Sequence, residues 1–454
     1  MNRRQFLALT GASSVAAFTG LTESRLRAAN AVLSEKSYRV TDVSRTTVKL
    51  EYREVPRRNM DRELPHWRWT EICEVTLASG NVGIGETLLY YTWGVPGEDD
   101  VARVIGQNAM SVMWDDSLGA GLQMALFDAV ARTAEVPVHY LLGNQVYERT
   151  PLSWWNIDTS AADMASECAT AFEQGYMSYK TKGRQWFDIH EQVAQAAAAV
   201  PEDFKIDMDF NDTLLTAEQG IPILKDLERT PQIDIYETPI PQDDVAGNRA
   251  ICEATRVNVA MHYGTPDPAT VVRESACDGF VVGHGATELM AAGRFAGEVG
   301  MPFWLQLVGS GVTAAWSLHF GGVLNQAVWP AVNCHQLYEQ DLLVEPIHVA
   351  DGTAAVPETP GLGVELNRDL VQKLKVPRPE RRPEPPRLIE TTWADGQRMY
   401  TASNGQVNFM LTAGQQGKYP YYKQGADTRL VPDDGTARWR ELYERARREG
   451  PIEG

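Results

Sequence analysis

Short runs of apolar residues alternate with longer amphipathic segments from about residue 150 onward. The apolar runs have the length of buried strands, and the segments between them have the apolar spacing of helices. Strands that alternate with helices predict βαβ units and a parallel sheet. The predicted strands are 152–157, 177–182, 204–210, 233–237, 257–262, 279–282, 303–308 and 331–335, and predicted helices include 162–174, 189–199, 217–227, 286–299 and 313–323.

Eight such units in about two hundred residues are the size of a closed barrel, so the predicted class is α/β with a (β/α)8 TIM barrel. An open, doubly wound sheet is the alternative architecture. No G-x-G-x-x-G motif follows the first predicted strand to favour that alternative.

The region before the barrel has a different pattern and predicts an α+β unit over 36–146. Alternating residues indicate strands, and Ser79, Gly80 and Asn81 form a hairpin signal. Residues 100–142 are expected to be largely helical, packing on this sheet. The predicted strands are 38–40, 46–52, 69–77 and 82–86, and 57–66 is predicted to be a polar loop between two of them.

The barrel is predicted to occupy 150–345, and the chain after it is rich in Pro and Gly. Residues 346–383 are predicted to return to the N-terminal unit and to end in a linker. A C-terminal extension then covers 384–454, with a strand-like segment at 407–411 and a charged helix at 436–448. The pattern assigns this extension no role, and we expect it to pack on the outside.

The first 29 residues predict an export signal rather than part of the fold. Arg3 and Arg4 precede Phe6 and a stretch of Ala, Gly, Ser and Thr that is too weakly apolar to span a bilayer. This pattern resembles a twin-arginine signal peptide. We therefore expect a periplasmic or otherwise exported protein that uses the twin-arginine export machinery and has no stable membrane anchor.

Charge and cysteine content exclude several kinds of partner and site. The formal net charge is -18, so nucleic acid and anionic membranes are poor partners. The five cysteines are dispersed and form no C-x-x-C pair, which argues against a disulfide framework or a zinc knuckle. We expect buried free thiols.

Charged residues end four successive predicted strands, where a TIM barrel carries its active site. Lys180 and Lys182 are two apart, so both side chains lie on one face of a strand. Asp209, Glu237 and His262 end the next three strands. Two lysines facing carboxylates and a histidine predict proton chemistry beside a metal ion.

Several motifs together resemble the enolase superfamily, of the mandelate racemase and muconate lactonizing enzyme type. They occur in that family's order over about residues 37–374. The motifs are 80–86 (GNVGIGE), 125–128 (ALFD) with 137–143, 180–182 (KTK), 209–211 (DFN), 237–239 (ETP) and 360–366 (PGLGVEL).

The resemblance implies an N-terminal capping domain over the mouth of a modified barrel. It also implies abstraction of a proton α to a carboxylate, with an enediolate intermediate held by one divalent metal ion, Mg²⁺ by family likeness. The ligands that it implies are Asp209, Glu237 and His262.

His262 departs from the family, where a carboxylate is usual at this position. Imidazole suits Zn²⁺, Fe²⁺, Mn²⁺ or Ni²⁺ better than Mg²⁺. Either the metal differs, or His262 only hydrogen-bonds at the rim, or Asp207 and Asn211 contribute in its place.

The resemblance makes Lys182 the catalytic base and Lys180 its partner. A second ammonium and a cation nearby disfavour the charged form and lower the pKa of the lysine. Relatives often place a second base on the opposite face, but no lysine occurs between Lys225 and Lys373, and Gln306 stands at the end of strand seven. One-face chemistry, such as elimination, therefore gains weight over racemisation.

Elimination needs an acid for the leaving group, and His284 or His335 near predicted strand ends are the candidates. His319, inside an apolar helix, is expected to be a core residue. Gln306 is a candidate for binding a substrate hydroxyl.

The capping loops are rich in aromatic residues, which suit stacking on a sugar. Trp67, Tyr91 and Trp93 are the predicted stacking residues, and Arg68 is predicted to hold a carboxylate. Packing of the cap on the barrel is the alternative role for these aromatics.

The leading hypothesis is a metal-dependent, dehydratase-like lyase acting on a small sugar acid or a related acid. One alternative is a racemase or epimerase with an unrecognised second base. Another is an exported binding protein without turnover. The family resemblance is also compatible with a homo-oligomer.

Overall fold

The computed structural model describes residues 37–91 and 94–454. The predicted signal at 1–29 and the predicted substrate contact Trp93 lie outside these residues. None of the helices in the described chain is long and apolar enough to cross a membrane.

The N-terminal unit is a three-stranded antiparallel sheet covered by helices. Its strands, in sheet order, are β1 (Val40–Lys49), β2 (Trp69–Leu77) and β3 (Val82–Leu88). The helices are α1 (Glu54–Glu63), α2 (Glu98–Val104), α3 (Ala109–Val112), α4 (Ala120–Ala134) and α5 (His139–Leu142), with short 3-10 turns at Pro65–Arg68 and Asp116–Leu118.

Helix α4 lies directly on the sheet because β3 carries glycines on the contacting face. A Cβ atom at Gly83 would lie 2.1 Å from the Ala125 carbonyl oxygen, and one at Gly85 would lie 2.0 Å from that of Gly121. The motif at 80–86 therefore allows the helix to approach closely.

Eight parallel strands form the barrel, which confirms the predicted fold class. The strands are β4 (Arg149–Trp155), β5 (Ser178–Lys182), β6 (Lys205–Asp209), β7 (Ile233–Glu237), β8 (Asn258–His262), β9 (Gly279–Val282), β10 (Phe303–Leu305) and β11 (Ala331–Val332). Strand β11 pairs with β4, and a parallel bridge from Gln306 to Val332 joins β10 to β11. The barrel closes through these short contacts.

Helices alternate with the strands around the outside. They are α6 (Ala161–Glu173), α7 (Ile189–Ala199), α8 (Ala217–Leu227), α9 (Val245–Ala254), α10 (Pro268–Glu274), α11 (Ala286–Val299) and α12 (Gly311–Val323), and a 3-10 turn at His335–Leu337 follows β11. His319 on α12 is fully buried, as expected for a core residue.

A hairpin and one helix follow the barrel. Strands β12 (Val349–Ala350) and β13 (Thr353–Ala355) add antiparallel to β4, and α13 (Arg368–Leu374) comes next. Val376 then donates a backbone hydrogen bond of 3.0 Å to the Thr47 carbonyl of β1. The chain therefore returns to the N-terminal sheet.

The C-terminal extension forms a third, four-stranded antiparallel sheet, in the order β16-β14-β15-β17. It comprises β14 (Leu388–Thr392), β15 (Arg398–Ala402), α14 (Phe409–Gln415), β16 (Asp427–Val431), α15 (Ala437–Glu449) and β17 (Ile452–Glu453). The predicted charged helix is α15.

Three local predictions are wrong. The strands predicted at 38–40 and 46–52 are one continuous strand, β1. The segment predicted as a strand at 407–411 begins α14, because Phe409, Met410 and Ala413 bury one helical face. The predicted polar loop at 57–66 contains most of α1. Its polar residues are paired across the structure: Arg58 contacts Asp163, and Arg62 lies 2.8 Å from Asp158.

All five cysteines are free thiols, as predicted. Cys73, Cys168, Cys277 and Cys334 are buried, and Cys252 is partly exposed.

Candidate active site

Three consecutive strands bring four charged side chains together at one end of the barrel. Lys180 and Lys182 share a face of β5 because their spacing is two. Lys182 is in register with Asp209 at the end of β6, and Asp209 is in register with Glu237 at the end of β7. The cluster predicted from strand ends is therefore formed.

Lys180 is enclosed by acceptors. Its Nζ donates to Gln306 Oε1 at 2.9 Å, lies 3.7 Å from Asp209 Oδ2 and contacts Glu237 Oε2. Burial disfavours the ammonium, but the two carboxylates outweigh burial and raise the pKa of Lys180. Lys180 is therefore a fixed cation at neutral pH.

Lys182 lies at the edge of the same cluster, and its Nζ contacts Asp209 Oδ2. Burial lowers the pKa of Lys182 below its ordinary value of 10.5. Asp209 opposes this shift, and the neighbouring Lys180 ammonium adds to it. The two lysines thus have opposite shifts, which is the pattern expected of a proton-transferring group beside a fixed charge.

Glu237 is buried and contacts Lys180 and His262. Its Oε1 lies 3.0 Å from His262 Nε2, and its Oε2 contacts Lys180. Burial alone would raise the pKa of Glu237, but the Lys180 ammonium and the His262 imidazole outweigh burial and lower it. Glu237 is therefore ionised, as a metal ligand must be.

The predicted metal ligands fit a divalent ion by their chemistry. Asp209 and Glu237 are buried carboxylates on adjacent strands, and His262 ends the next strand with a half-exposed side chain. Two carboxylates suit Mg²⁺, and one imidazole suits Zn²⁺, Mn²⁺ or Fe²⁺. These three residues are the ones that would hold the ion, although their ligand atoms do not all lie within 4.8 Å of one another in the described structure.

The two alternative ligands are placed differently. Asp207 lies one pair deeper on β6, in register with Lys180, and burial raises its pKa well above the ordinary value. Asn211 Oδ1 accepts a 2.5 Å hydrogen bond from Arg184. Asn211 lines the cavity beside Lys182 and Asp209, whereas Asp207 does not.

A cavity of about 220 Å³ opens beside the lysines. Gln306 and His262 reach it from the barrel, and Trp67 and Tyr91 reach it from the cap. Trp67 is buried and stacks on Trp155 with ring centroids 5.5 Å apart, while Tyr91 is 43% exposed. Trp67 therefore packs the cap on the barrel as well as lining the cavity.

A second cavity of about 350 Å³ adjoins the first. Both are lined by Tyr91, His262 and Gln306, and His284 lines the second. His284 Nδ1 lies 3.1 Å from Glu288 Oε2, and both are exposed at the rim. His284 is thus near the site but outside the buried cluster.

Within the described chain, one set of His and carboxylate atoms comes within 4.8 Å of one another, formed by Asp116, His284 and Glu288. Asp116 accepts hydrogen bonds from the backbone N–H groups of Thr287 and Glu288. Its role is to cap the first turn of α11.

Two predicted site residues lie elsewhere. The guanidinium of Arg68 forms salt bridges with Glu51 and Asp61 and stacks on the ring of Tyr52. His335 accepts or donates one hydrogen bond with Tyr176, at 3.0 Å, and lines a different cavity. The structure does not bring either residue to the lysines.

The sequence prediction missed a group of buried charges on the cavity wall. Glu63 and Asp158 line the cavity, and Arg62 lies 3.0 Å from Glu63. Burial and then Asp158 raise the pKa of Glu63 to about 7, against Arg62 and Arg387. No motif marks Glu63, since it lies in a segment predicted to be a loop.

The family comparison agrees with this geometry. A family model described as "Enolase C-terminal domain-like" matches residues 163–370. N-succinyl-L-Arg/Lys racemase of Bacillus cereus is 22% identical over 302 residues, which are 60% of this chain and 79% of that protein. Arabinonate dehydratase of Saccharolobus solfataricus is 23% identical over 345 residues, 66% of this chain and 89% of that protein.

Solved structures share the fold. 2-Chloromuconate cycloisomerase from Rhodococcus opacus 1CP has a TM-score of 0.61 at 18% identity, covering 74% of this chain and 100% of its own. Dipeptide epimerase from Cytophaga hutchinsonii, complexed with Mg and a dipeptide, has a TM-score of 0.60 at 20% identity, covering 74% and 99%.

The sequence motifs, the barrel, the cluster at the strand ends and the relatives all indicate one family. Its members include lyases, cycloisomerases, racemases and epimerases. Residues 163–370 match the enolase C-terminal domain-like family, and the chain around them is similar to mandelate racemase/muconate lactonizing enzyme-like proteins of the enolase superfamily.

Proposed function

We propose that this chain is a metal-dependent, dehydratase-like lyase that removes the proton α to the carboxylate of a sugar acid. The observation that carries the proposal is the Lys182 amino group, with its lowered pKa, in contact with Asp209 at the cavity. A lowered pKa leaves more of the amine neutral at moderate pH than in a solvated lysine, and only the neutral amine accepts a proton.

Lys182 and Lys180 have different roles in the proposed reaction. Lys182 accepts the α-proton, and the electron pair that it leaves moves into the substrate carboxylate as an enediolate. Lys180 keeps its charge and favours the build-up of negative charge on that carboxylate. A divalent ion on Asp209, Glu237 and His262 would supply further charge stabilisation when bound, Mg²⁺ being typical of the superfamily.

Elimination then expels the β-hydroxyl group as water, which needs one proton from an acid. His284 is the better candidate of the two predicted histidines, because it lines the adjoining cavity and His335 does not. Gln306, which lines both cavities, suits a substrate hydroxyl group.

A racemase or epimerase is the second candidate, and Glu63 is the observation that favours it. A carboxyl group with a pKa of about 7 on the cavity wall is partly protonated at neutral pH and is able to return a proton to the substrate.

The test is deuterium incorporation from D₂O into arabinonate, galactonate, gluconate and galactarate, followed by mass spectrometry and NMR. We expect one deuterium at the α-carbon or loss of water, and a decrease of about 10²–10⁴-fold in Lys182→Ala. Lys205→Ala is the matched control, since Lys205 is a 42%-exposed lysine on the neighbouring strand.

Elemental analysis of the same preparations tests the metal. About one divalent ion per chain in the wild type and its loss in Asp209→Ala would support the ligand assignment. Exchange with inversion but without loss of water would favour the racemase, and no exchange with any acid would contradict both candidates.

Export through the twin-arginine route to the periplasm is part of the same proposal. It rests on the residues at 1–29. Cell fractionation of the full chain beside Arg3→Lys/Arg4→Lys tests it, and wild type retained inside the cell would contradict it.

A further inference from the structure

The C-terminal extension supplies part of the wall of the cavity that holds the lysines. Val407, Asn408 and Leu411 line that cavity together with Lys182. The match to the superfamily's domain ends at residue 370, before the extension begins. The expectation that the extension packs only on the outside is therefore wrong.

The extension is held to the loop that follows Lys182. The Tyr422 hydroxyl group donates to the Gly183 carbonyl oxygen at 3.2 Å. Gly425 N–H donates to Asp188 Oδ2 at 2.7 Å, and Thr428 Oγ1 donates to the Trp186 carbonyl oxygen at 2.6 Å.

It is also held to the loop that follows Asp209. Gln415 Nε2 donates to the Asn211 carbonyl oxygen at 3.0 Å, and the Tyr421 hydroxyl group donates to that of Leu214 at 3.1 Å. Because these two loops carry on directly from the reacting strands, the extension is positioned relative to Lys182 and Asp209.

The wall has a defined chemistry. Asn408 begins α14 in a left-handed conformation, with a φ of 57°, which asparagine tolerates better than most residues. Its amide does not cap the helix and is exposed. Val407 is 40% exposed, and Leu411 is partly buried. One amide thus stands between two apolar side chains at the cavity.

We propose that this wall, formed by Val407, Asn408 and Leu411, determines which acids the site accepts. Asn408 hydrogen-bonds a hydroxyl group at the end of the substrate remote from its carboxylate, and Val407 with Leu411 limits the length of the acid. The proposal rests on the proposed function, since it assigns further contacts of the same substrate.

Steady-state kinetics of deuterium exchange on the full chain provide the first test. With the best acid of the panel, Asn408→Ala should raise KM about 5- to 10-fold, the loss expected for one hydrogen bond, with a smaller change in kcat. Leu411→Ala should improve the longer acids relative to the shorter ones. Gln406→Ala, an exposed residue of the same loop outside the cavity, should match the wild type.

Unchanged KM and unchanged order of acids in both wall variants would overturn the proposal. An equal rise in KM in Gln406→Ala and Asn408→Ala would also overturn the proposal, because the effect would then come from disturbing the loop as a whole.

Thiol protection is a second test that does not depend on turnover. Asn408→Cys is treated with a charged methanethiosulfonate reagent with and without each acid, with wild type correcting for the native thiols. We expect at least a 5-fold slower modification with bound acid, and no protection in Gln406→Cys.

The two tests separate the two proposals. If an acid protects Asn408→Cys from the thiol reagent but the wild type exchanges no deuterium, the lyase proposal is contradicted and the proposal for the wall stands. If the wild type exchanges deuterium but no acid protects Asn408→Cys, the proposal for the wall is overturned and the lyase proposal stands. Neither exchange nor protection overturns both.

Discussion

The two halves of the barrel mouth differ in how they carry charge. At the ends of β5, β6 and β7, the side chains of Lys180, Asp209 and Glu237 are each 1% exposed, and they contact one another. At the end of β9, His284 pairs with Glu288 at the exposed rim, and the end of β10 offers the neutral Gln306.

The difference teaches where proton chemistry is concentrated. Charges are buried in this barrel where opposite charges compensate them, since an unpaired buried charge is costly. The half with compensated charges also holds the lysine with the lowered pKa. The other half has room for substrate but no buried ion pair at His284 or Gln306, which favours chemistry on one face.

Removing Lys180 should have the largest effect on this comparison. Lys180→Met leaves Asp209 and Glu237 buried without their shared cation, and we expect the free energy of unfolding to fall by about 3–5 kcal/mol in metal-free protein. Urea unfolding measures it, with exposed Lys205→Met as control. A loss below about 1 kcal/mol would mean that the charged half does not depend on its own ion pairs.

Glu63 tests whether the charged region extends into the cap. Its folded pKa of about 7 exceeds the ordinary value of 4.5, so the folded state keeps a proton that the unfolded state loses between these values. Stability should therefore fall by up to about 3 kcal/mol as pH rises from 4.5 to 7, and this contribution should stay constant above pH 7.

Urea unfolding of the wild type and Glu63→Gln at pH 5 and pH 7.5 checks this sign. The variant keeps the shape but does not titrate, so its stability should fall less over this interval. An equal pH dependence in both proteins would show that Glu63 is ionised throughout.

The smallest effect is expected in the other half. His284→Ala removes an exposed contact with Glu288, so stability should change by less than about 0.5 kcal/mol. Deuterium exchange should fall far less than in Lys182→Ala, whereas loss of water should slow if His284 donates the proton. Equal losses of exchange in the two variants would break the comparison between the halves.

Much of the site was predictable because strand ends in a parallel barrel meet at one edge. Lys180, Lys182, Asp209 and Glu237 each end or nearly end an apolar run, and the structure brings them together. Arg68 and His335 were predicted from residue type and approximate position alone. Arg68 instead contacts Glu51 and Asp61, which no motif marks. His335 instead contacts Tyr176, which is distant in the sequence.

The sequence by itself determined the barrel, the N-terminal α+β unit and the lysine-carboxylate cluster, because each follows from local periodicity and from spacing along one strand. That the α+β unit caps the barrel is what the family resemblance implied. Only the tertiary structure decided that Glu63 is a buried wall residue with a raised pKa and that the extension reaches the cavity. These features depend on contacts between segments far apart in the chain. The charged neighbours of Glu63 are Arg62 from the cap, Asp158 from the barrel and Arg387 from the extension. Local patterning carries no signal for contacts between such distant segments.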